Sequence, residues 1–523
     1  EWGNYFSSLL GTVPSPTPPE LLPSPSPTDL PISTEPFSLP ELDEAIKTAQ
    51  PHKAAGLDKL SIDAVKYGGK LIQSSLLSII NSVFLTNKPP HQWTKAIIHP
   101  VHKKGSTALM SNYRGISLMS IAAKIYNKLL LHRIQPHIDP ILRDNQAGFR
   151  KDRSCTDQIN ILRRIIDGAE DHCLPLVVTY IDFRKAFDSI NRNMMFAILR
   201  HYGIPQRIVN AIRCIYDDSM CCVRNNGELS DFFKVLIGVF QGGTLEPFLF
   251  NVTLDYSMKK TVKDHGFTTH RRTSSRQPEV KLPDLNFADD IALLDNDLQM
   301  AQEHINTVQT ECTKIGLEIN TDKTKFATYN ITDQVNLKVH STDLEKTNNF
   351  IYLGSSTRSS SDDITRKRAM GFSAFHKLAN IWNSEDIPIP LKIKIFRVSV
   401  ITVFLYGCES WTITEADKER INSFATICYR RILNIDQKKQ HVTNANLLQT
   451  VSAQPLINLV HRRQMSKLGH QLRKPVNTLA NTYALYEPRH GSRAPGRPRT
   501  NYTSNIGHIL DPTGRLLPAE IGQ

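Results

Sequence analysis

The chain has 523 residues, of which 40% are hydrophobic, so it is expected to fold into two or three globular domains. Its longest apolar run, residues 398–408, is too short to cross a bilayer, which excludes a membrane-spanning helix, and no signal peptide is visible. The formal charge of +13 and the pI near 9.2 suit a polyanionic partner, although excess charge also serves general solubility.

The eight cysteines form no C-x-x-C pair and no cluster with histidines at the spacing of a zinc site. We therefore interpret them as reduced and mostly structural, which predicts an intracellular protein. The chain begins with Glu1 rather than Met, and from this we expect a fragment or a processed piece of a longer protein.

The first 84 residues fall into two parts by composition. Prolines among serines and threonines recur through much of residues 1–40, which predicts a proline-rich linker, with ordered structure beginning near Leu39. Apolar residues then recur at helical spacing and share one side of a helix over residues 75–86. Residues 41–84 are thus predicted to form an N-terminal helical extension.

Strand and helix patterns alternate in the segment that follows. Residues 93–100 predict a strand, and the basic turn after it includes Lys104. Residues 122–134 have helical periodicity, with basic residues among aliphatic ones, and residues 146–151 predict a basic loop before a further helix.

Asp182 stands where a buried strand is predicted to end. Residues 174–181 are β-branched and almost continuously apolar, as in a strand covered on both faces. An acid at such a position is well placed to hold a hard cation, because Mg²⁺ and Ca²⁺ prefer oxygen ligands. The alternative is a helix N-cap, a role that Asp188 fits better because a helical pattern starts after it.

Two adjacent acids, Asp289 and Asp290, are the most informative residues of the sequence. Apolar residues alternate on both sides of them over residues 285–294, which is the periodicity of a strand. One unbroken strand would place Asp289 on the apolar face, so a tight turn at residues 288–290 is predicted, with the carboxylates at the tip of a hairpin. Two like charges between apolar residues are costly unless a cation or a proton neutralises them, although a solvated surface hairpin is the alternative.

The remaining segments carry weaker patterns. Residues 261–284 are polar and rich in arginine, which predicts an exposed loop, and residues 301–315 predict a helix. Beyond residue 356 strand patterns fade and helical ones return, so we predict a helical domain over residues 356–440. Residues 441–523 form a basic region that is expected to follow a nucleic-acid backbone.

Several motifs follow one another in a fixed order. They are NYRGISL at residues 112–118, DFRKAFD at 182–188, GVFQGGTLEPFLFN at 238–251, LNFADDIALL at 285–294, GLEINTDKTK at 316–325 and YLG at 352–354. Through them the chain resembles the reverse transcriptases of non-LTR (LINE-type) retrotransposons. The resemblance is close over residues 85–355 and looser to about residue 500, through YGCESW and GRPR.

The resemblance implies an α+β fold of the right-hand polymerase type. Fingers and palm would occupy residues 85–355, a helical thumb residues 356–440, and a mostly helical, basic region the rest of the chain. The implied activity is RNA-directed DNA synthesis by nucleotidyl transfer from dNTPs, with two Mg²⁺ ions, for which Mn²⁺ is an alternative. An RNA template and a DNA primer or target-site DNA are the implied partners, and a nuclear location is expected although no targeting signal is identified.

The resemblance also assigns roles to the acids. Asp182 and Asp289 match the residues that bridge the two cations, and Asp290 is the third acid. Lys323 matches the residue that protonates or neutralises the departing pyrophosphate. A solvated surface charge is the alternative for this lysine.

Phe187, Gln241 and Gly242 match residues that surround the incoming nucleotide. Phe187 would stack under the sugar and exclude a 2′-hydroxyl, with an ordinary core aromatic as the alternative. Gln241 and Gly242 would lie against the nucleotide and the template base, where the glycine permits close backbone approach. A plain turn before a helix is their alternative.

Other matching residues would grip the triphosphate or the primer. Lys104 and Arg114 are expected to hold the triphosphate, with solvated surface charges as the alternative. Tyr352, Leu353 and Gly354 resemble the turn that grips the primer.

Two residues depart from the family pattern. The family has a basic residue where Phe240 stands and a small hydroxyl residue where Glu246 stands. Loss of the basic residue is expected to weaken contacts near the nucleotide, and Glu246 is expected to add negative charge close to the phosphates. Both changes suit a copy in mutational decay.

Three alternatives to an active retrotransposon polymerase follow from the sequence. The first is a polymerase-like relic that holds nucleic acid without synthesis, which Phe240 and Glu246 favour and the three intact acids oppose. The second is a group II intron maturase, which shares the palm motifs but would carry a splicing domain after the thumb. The third is a host protein domesticated from such an element.

Residues 1–84 are too short for the endonuclease that such elements often carry upstream.

Overall fold

The computed structural model describes residues 1–13, 18–103, 105–272, 274, 278–333, 335–493 and 500–511. In this part of the chain, two five-stranded sheets follow a helical N-terminal part and precede a helical C-terminal part, so the fold is α+β as predicted. Helices α1 (Trp2–Leu10), α2 (Leu39–Lys47), α3 (Ile62–Tyr67) and α4 (Gly69–Thr86) come before the first strand.

Residues 1–40 pack more tightly than their composition predicts. Phe6 of α1 is buried against the first sheet, and Ile32 and Phe37 are buried as well. The guanidinium of Arg133 lies 3.9 Å from the ring centre of Phe37. The predicted linker, and the predicted start of order near residue 39, are therefore wrong for the described part of this segment. An extended backbone between prolines can still bury single apolar side chains without regular hydrogen bonds, which composition does not reveal.

The central region alternates strands and helices. It contains β1 (Lys95–His102), β2 (Tyr113–Met119), α5 (Ile121–Ile138), α6 (Cys155–Asp171), β3 (Leu176–Ile181), α7 (Ala186–Ser189), α8 (Arg192–His201), α9 (Gln206–Tyr216), β4 (Met220–Asn225), β5 (Glu228–Leu229), β6 (Phe233–Lys234) and α10 (Glu246–Thr261). After these come β7 (Phe267–His270), β8 (Val280–Leu282), β9 (Asp284–Phe287), β10 (Asp290–Asp295), α11 (Leu298–Lys314), β11 (Lys325–Tyr329), β12 (Lys338–Val339), β13 (Thr342–Asp343), β14 (Glu345–Lys346), β15 (Ile351–Tyr352) and β16 (Ser355–Ser356).

The first sheet is built on the antiparallel pair of β1 and β2. Its strand order is β2-β1-β4-β5, with β6 also paired to β4, and β1 runs parallel to β4. The β1–β2 connection carries basic residues, and β2 leads directly into the long helix α5. The strand predicted near residue 95 and the helix predicted over residues 122–134 are both confirmed.

The second sheet has the order β14-β11-β3-β10-β9, with β3 in its centre. The side chains of β3 alternate between two separate cores: Val177 and Ile181 join the larger one, and Val178 and Tyr180 join the core on the opposite face. Both faces are therefore covered, which explains why the strand reads as continuously apolar. The predicted buried strand before Asp182 is confirmed.

The segment predicted as an exposed loop, residues 261–284, contains structure. Strands β7 and β8 pair as an antiparallel ribbon, and Phe267 and Leu282 are buried. Arg271 and Arg272 are exposed at its end. The prediction failed because short strands with few apolar residues leave little periodicity to read.

Beyond the sheets the described chain is helical. It contains α12 (Ser360–Lys377), α13 (Ala379–Asn383), α14 (Ile389–Phe396), α15 (Thr402–Phe404), α16 (Glu415–Ile432), α17 (Gln437–Gln440), α18 (Asn444–Thr450), α19 (Leu456–Leu472), α20 (Leu479–Thr482) and α21 (Tyr502–Leu510), with a π-helical turn at Arg397–Ile401. One core joins Ile364 to Val460, so the boundary predicted at residue 440 falls inside a single packed unit and needs correction.

The basic C-terminal region is partly used for internal pairing. Lys467 and Lys474 both contact the buried carboxylate of Asp157 on α6, at 2.5 and 3.2 Å. These two lysines therefore hold the helical part against the second sheet rather than remaining free for a polyanion. No helix within the described residues combines the length and apolar character needed to cross a bilayer.

Candidate active site

The hairpin of β9 and β10 ends in the turn that the sequence predicts. Asp290 pairs with Phe287, so Ala288 and Asp289 form the tip. Ala288 adopts the left-handed conformation, with φ of +54°, which is unfavourable for alanine and requires support from its surroundings.

That support comes from the buried side chain of Gln146. Its Oε1 accepts hydrogen bonds from the backbone N–H groups of Gly148 and Ala288, at 2.9 and 2.8 Å, and its Nε2 donates to the carbonyl of Ala288 at 3.2 Å. A Cβ atom on Gly148 would lie 2.3 Å from the nitrogen of Ala288, so only glycine fits. The sequence predicts only a basic loop here, because one sequence gives no sign of which distant backbone a glutamine will bind.

Asp182 lies beside this turn because of the sheet register. Ile181 pairs with Ile291, so Asp182 and Asp290 follow as neighbours where the antiparallel strands β3 and β10 leave the sheet. The backbone N–H of Asp182 donates to Thr324 Oγ1 at 3.2 Å, which fixes the strand end.

The N-cap alternatives are wrong for both acids of this segment. Lys185, not Asp182, stands at the N-cap position of α7. Asp188 lies inside α7, where it accepts a hydrogen bond from Gln241, and Asn191 caps the next helix.

A cavity of about 490 Å³, here called the cleft, opens between the first sheet, α7 and the β9–β10 turn. Among the residues that line it are Lys103, Arg114, Phe149, Asp182, Phe187, Gln241, Gly242, Asp289 and Lys323. Two acids more than a hundred positions apart in the sequence, Asp182 and Asp289, thus share one cleft with four basic side chains, those of Lys103, Arg114, Lys185 and Lys323.

The charged forms of the two adjacent acids are destabilised. The pKa of Asp290 is raised to about 6, mainly by removal from water and secondly by the negative charges of Asp289 and Asp182. Burial also raises the pKa of Asp289, with the negative charge of Asp182 as a smaller contribution in the same direction. Such a cluster favours protons or cations, which is the electrostatic property of a site for divalent ions.

Basic side chains face the acids from three segments. Lys323 Nζ lies 3.7 Å from Asp182 Oδ1, and Arg114 projects from β2 into the cleft. Lys103 also lines the cleft, and its pKa is lowered, first by burial and then by the charges of Arg114 and Lys323. Lys104, which the sequence analysis chose, lies outside the described residues.

Phe187 forms part of an aromatic wall of the cleft. Its ring stacks on Phe250 at a centroid distance of 4.4 Å and meets Phe149 edge-on at 6.4 Å. The half-buried ring is held firmly while one side remains accessible from the cleft. Phe187 thus packs against the core on one side and borders the cleft on the other.

Gln241 and Gly242 bring the segment before α10 against β2. The carbonyl of Gln241 accepts from the N–H of Ser117 at 2.6 Å, and its Nε2 donates to Asp188 Oδ1 at 2.8 Å. Gly242 has φ of +116°, where other residues are strained, and a Cβ there would lie 3.1 Å from the carbonyl oxygen of Ser117. Burial raises the pKa of Asp188 to about 6.

The two residues that depart from the family pattern both lie in the wall of the cleft with buried side chains. Phe240 is 4% exposed and stacks on Tyr216 at 5.5 Å. Glu246 is 1% exposed, accepts a hydrogen bond from Asn127 at 3.3 Å, and has its pKa raised to about 7 by burial. The carboxyl is therefore uncharged over much of the range below pH 7. The negative charge expected near the phosphates is correspondingly weakened.

Residues 352–354 form a turn outside the cleft. Leu353 and Gly354 have φ of +47° and +82° between β15 and β16. The buried Tyr352 donates its hydroxyl to the carbonyl of Leu285 on β9 at 3.0 Å. Tyr406 donates to the carbonyl of Leu353 at 3.0 Å. The aromatic ring of Tyr352 thus anchors the turn beneath the hairpin, and the carbonyl of Gly354 is likewise engaged, by Arg366 and Lys367.

Comparisons with known proteins agree with this geometry. Residues 101–357 match the protein family described as "Reverse transcriptase (RNA-dependent DNA polymerase)". Over 268 residues the chain is 24% identical to the "Transposon TX1 uncharacterized 149 kDa protein" of Xenopus laevis, covering 50% of this chain and 20% of that protein.

Two Drosophila melanogaster proteins give similar matches. The "Retrovirus-related Pol polyprotein from type-2 retrotransposable element R2DM" is 26% identical over 250 residues, 47% of this chain and 22% of the relative. The "Probable RNA-directed DNA polymerase from transposon BS" is 26% identical over 294 residues, 54% of this chain and 31% of the relative. The matched region thus spans less than a third of each of these three relatives.

Proposed function

We propose that this chain, whose residues 101–357 form a reverse transcriptase domain of the non-LTR retrotransposon type, acts as an RNA-directed DNA polymerase. It would extend a DNA 3′-hydroxyl on an RNA template, with dNTPs as substrates. The observation that supports this most is the convergence of Asp182 and Asp289 in one cleft, with Asp290 beside them. Priming from a nicked target DNA follows from the type of element and belongs to the same proposal.

The acids of the cleft fit a pair of divalent ions. Asp182, Asp289 and Asp290 offer hard oxygen ligands, and burial, followed by the negative charges of neighbouring acids, raises the pKa values of Asp289 and Asp290. Two bound Mg²⁺ or Mn²⁺ ions would lower the barrier for attack by the 3′-oxygen on the α-phosphorus and for departure of pyrophosphate. Asp182 and Asp289 would be the shared ligands.

The basic residues of the cleft would hold the triphosphate. Arg114 can bind phosphate oxygens in the two-pronged manner of a guanidinium, and Lys103 adds a second positive charge on the same sheet. Lys323 lies on the acid side, 3.7 Å from Asp182 Oδ1. From there it would donate a proton to, or neutralise, the departing pyrophosphate.

The aromatic wall and the glycine turn would select the nucleotide. Phe187, held between Phe250 and Phe149, would collide with a ribose 2′-hydroxyl and so favour dNTPs. Gly242 allows its backbone to approach the base pair closely, and Gln241 is oriented by Asp188.

The right-hand architecture is part of the proposal. The first sheet would serve as fingers and the second as palm, both within residues 85–355. The helices beyond residue 356 would form the thumb, and the turn at Leu353 and Gly354 would touch the primer through its backbone. The remaining exposed basic residues of the C-terminal region would contact the nucleic-acid backbone.

Primer extension tests the proposal directly. The parent chain, an RNA template, a labelled DNA primer and dNTPs with Mg²⁺ should give extended product, and Asp289→Asn should give none. No extension by the parent, together with salt-sensitive RNA binding that persists, would instead support a polymerase-like protein that only holds nucleic acid.

A further inference from the structure

A second group of metal-binding side chains lies away from the cleft. His265 lies in the loop between α10 and β7, Asp295 ends β10, and His304 lies on α11. One ligand atom from each of the three lies within 4.8 Å of those of the other two. Asp295 is separated from Asp290 by the length of β10, roughly 17 Å at the usual rise of a strand, so the cluster is distinct from the acids of the cleft.

His304 presents a ring nitrogen that has no partner. The residue is fully buried, and its Nδ1 lies 3.1 and 3.2 Å from the two carboxylate oxygens of Asp295. Its Nε2 is buried and makes no hydrogen bond within the described part of the chain. In the metal-free form a proton between Nδ1 and the carboxylate would join the two residues, and an ion that displaces this proton would be bound by Nδ1 and the carboxylate together.

His265 adds a second unsatisfied imidazole. Its ring stacks on that of His304 with centroids 4.6 Å apart and planes inclined by 6°, and its Nδ1 is also buried without a partner among the described residues. Two adjacent unsatisfied nitrogens are a costly arrangement if they serve packing alone.

We propose that His265, Asp295 and His304 bind one divalent transition-metal ion, with Zn²⁺ as the best match and water in the open position. Two imidazoles and one carboxylate are the ligands that Zn²⁺ takes in proteins, whereas Mg²⁺ prefers oxygen. Such an ion would tie the loop after α10 and helix α11 to the end of β10, the strand that begins with Asp290.

Binding requires a small inward movement of one ligand. Around tetrahedral Zn²⁺ with bonds of about 2.0–2.2 Å, ligand atoms lie roughly 3.3 Å apart, so the observed spread must shrink by about 1.5 Å. His265 is the residue that can move, because it is partly exposed and its loop ends at Gly266, which has φ of +126°. His304 and Asp295 are held by the helix and the strand. The stacked rings are therefore an open form of the site, which closes when His265 tilts toward the ion.

Cobalt binding in excess Mg²⁺ tests the site without using polymerase activity. The full-length chain is stripped with a chelator and titrated with Co²⁺, whose visible absorption bands report nitrogen ligation, and the bound Co²⁺ is then displaced with Zn²⁺. The variants are His304→Asn, His265→Asn and Asp289→Asn, with the exposed His508→Asn as the matched control. We expect one equivalent of Co²⁺ in the parent, in His508→Asn and in Asp289→Asn, and at least a tenfold weaker affinity in the two cluster variants.

Each other outcome counts against the site. Unchanged Co²⁺ affinity in His265→Asn, or the absence of the absorption bands in the parent, would show that the cluster is an ordinary buried His–Asp pair. Loss of the bands in Asp289→Asn would place the ion in the cleft instead. If His304→Asn fails to fold by circular dichroism, His265→Asn decides the question, because its side chain is partly exposed on a loop and its replacement removes little packing.

Discussion

The two ends of the β9–β10 hairpin hold their acids in opposite ways. At the base, Asp284 is fully buried and receives two hydrogen bonds from Arg143, at 2.8 and 2.9 Å. At the tip, the one cation within ion-pair distance of the acids, among the described residues, is Lys323 on Asp182. The base therefore resembles the interior of any folded protein, where buried charges are paired, whereas the tip leaves its carboxylates for a ligand.

Glu246 shows a third way of keeping an acid inside the protein. It is as buried as Asp284, but within the described residues no cation lies within 4 Å of its carboxylate. Its pKa is raised to about 7, mainly by burial, so a proton takes the place of the missing cation. Pairing, protonation and ligand binding are thus three solutions to one desolvation problem. These three arrangements predict different effects on stability and activity when the acid is replaced.

The largest effect is expected from Asp182→Asn. Without this carboxylate the cations lose a shared ligand, so nucleotide incorporation should fall by about 10³-fold or more. Incorporation of a labelled dNMP measures the loss. Asp343→Asn, on an exposed hairpin strand, is the matched control and should retain full incorporation. Substantial nucleotide incorporation by Asp182→Asn would mean that Asp182 is a structural acid, as Asp284 is, and not a ligand of the cations.

Replacement of Arg143 should have the opposite signature. Arg143→Met leaves the buried Asp284 without its cation and leaves Asp255 with only Lys259, at 3.5 Å, so the free energy of unfolding should fall by about 3–5 kcal/mol. Urea denaturation measures this change. The exposed pair of Lys338 and Asp343 provides the control, because Lys338→Met should cost only about 0–1 kcal/mol. Equal losses of unfolding free energy in Arg143→Met and Lys338→Met would mean that the buried ion pair at the base of the hairpin contributes no more than a surface pair.

Glu246→Gln separates protonation from pairing. The pKa of Glu246 is raised in the folded protein. The contribution of its proton to the free energy of unfolding is therefore fully present below the unfolded pKa and is lost as the pH rises through about 7. The loss is on the order of 3 kcal/mol across that interval. The glutamine variant should lack this part of the slope in denaturation measured from pH 4 to pH 8. Parallel slopes for parent and variant would mean that Glu246 is already ionised.

The smallest change is expected from Asp290→Asn in the presence of chelator. The raised pKa of Asp290 means that stability is lost as the pH rises from the unfolded value toward about 6. The variant should therefore be more stable than the parent above pH 6 and equal to it below pH 4, as followed by thermal melting. Added Mg²⁺ should reverse this order by stabilising the parent. If Asp290→Asn is less stable than the parent at pH 7 in chelator, Asp290 is stabilised by a partner in the metal-free protein, which would contradict this account.

Some of these features are readable from the sequence and others are not. The alternation around Asp289 and the apolar run before Asp182 revealed three strands and a turn, because one face or both faces of each strand must be buried. The pairing of Asp284 with Arg143 was not predicted, since partners 141 positions apart leave no local pattern. For the same reason, the contact of Gln146 with the turn, the packing of Phe6 and the place of Lys103 in the cleft became visible only in the fold.

The central claim is that Asp182, Asp289 and Asp290 hold divalent ions together. Replacement of Mg²⁺ by Fe²⁺, followed by peroxide-driven cleavage of the backbone beside the bound metal, tests this directly. We predict cuts near residue 182 and near residues 289–290, which disappear in parallel as Mg²⁺ is added back. Cuts near residues 265 and 304 would come from iron bound at the histidine cluster, and this cleavage should continue when Mg²⁺ is added back. Cleavage at only one of the two acid segments, or separate Mg²⁺ dependences for the two, would contradict the shared site.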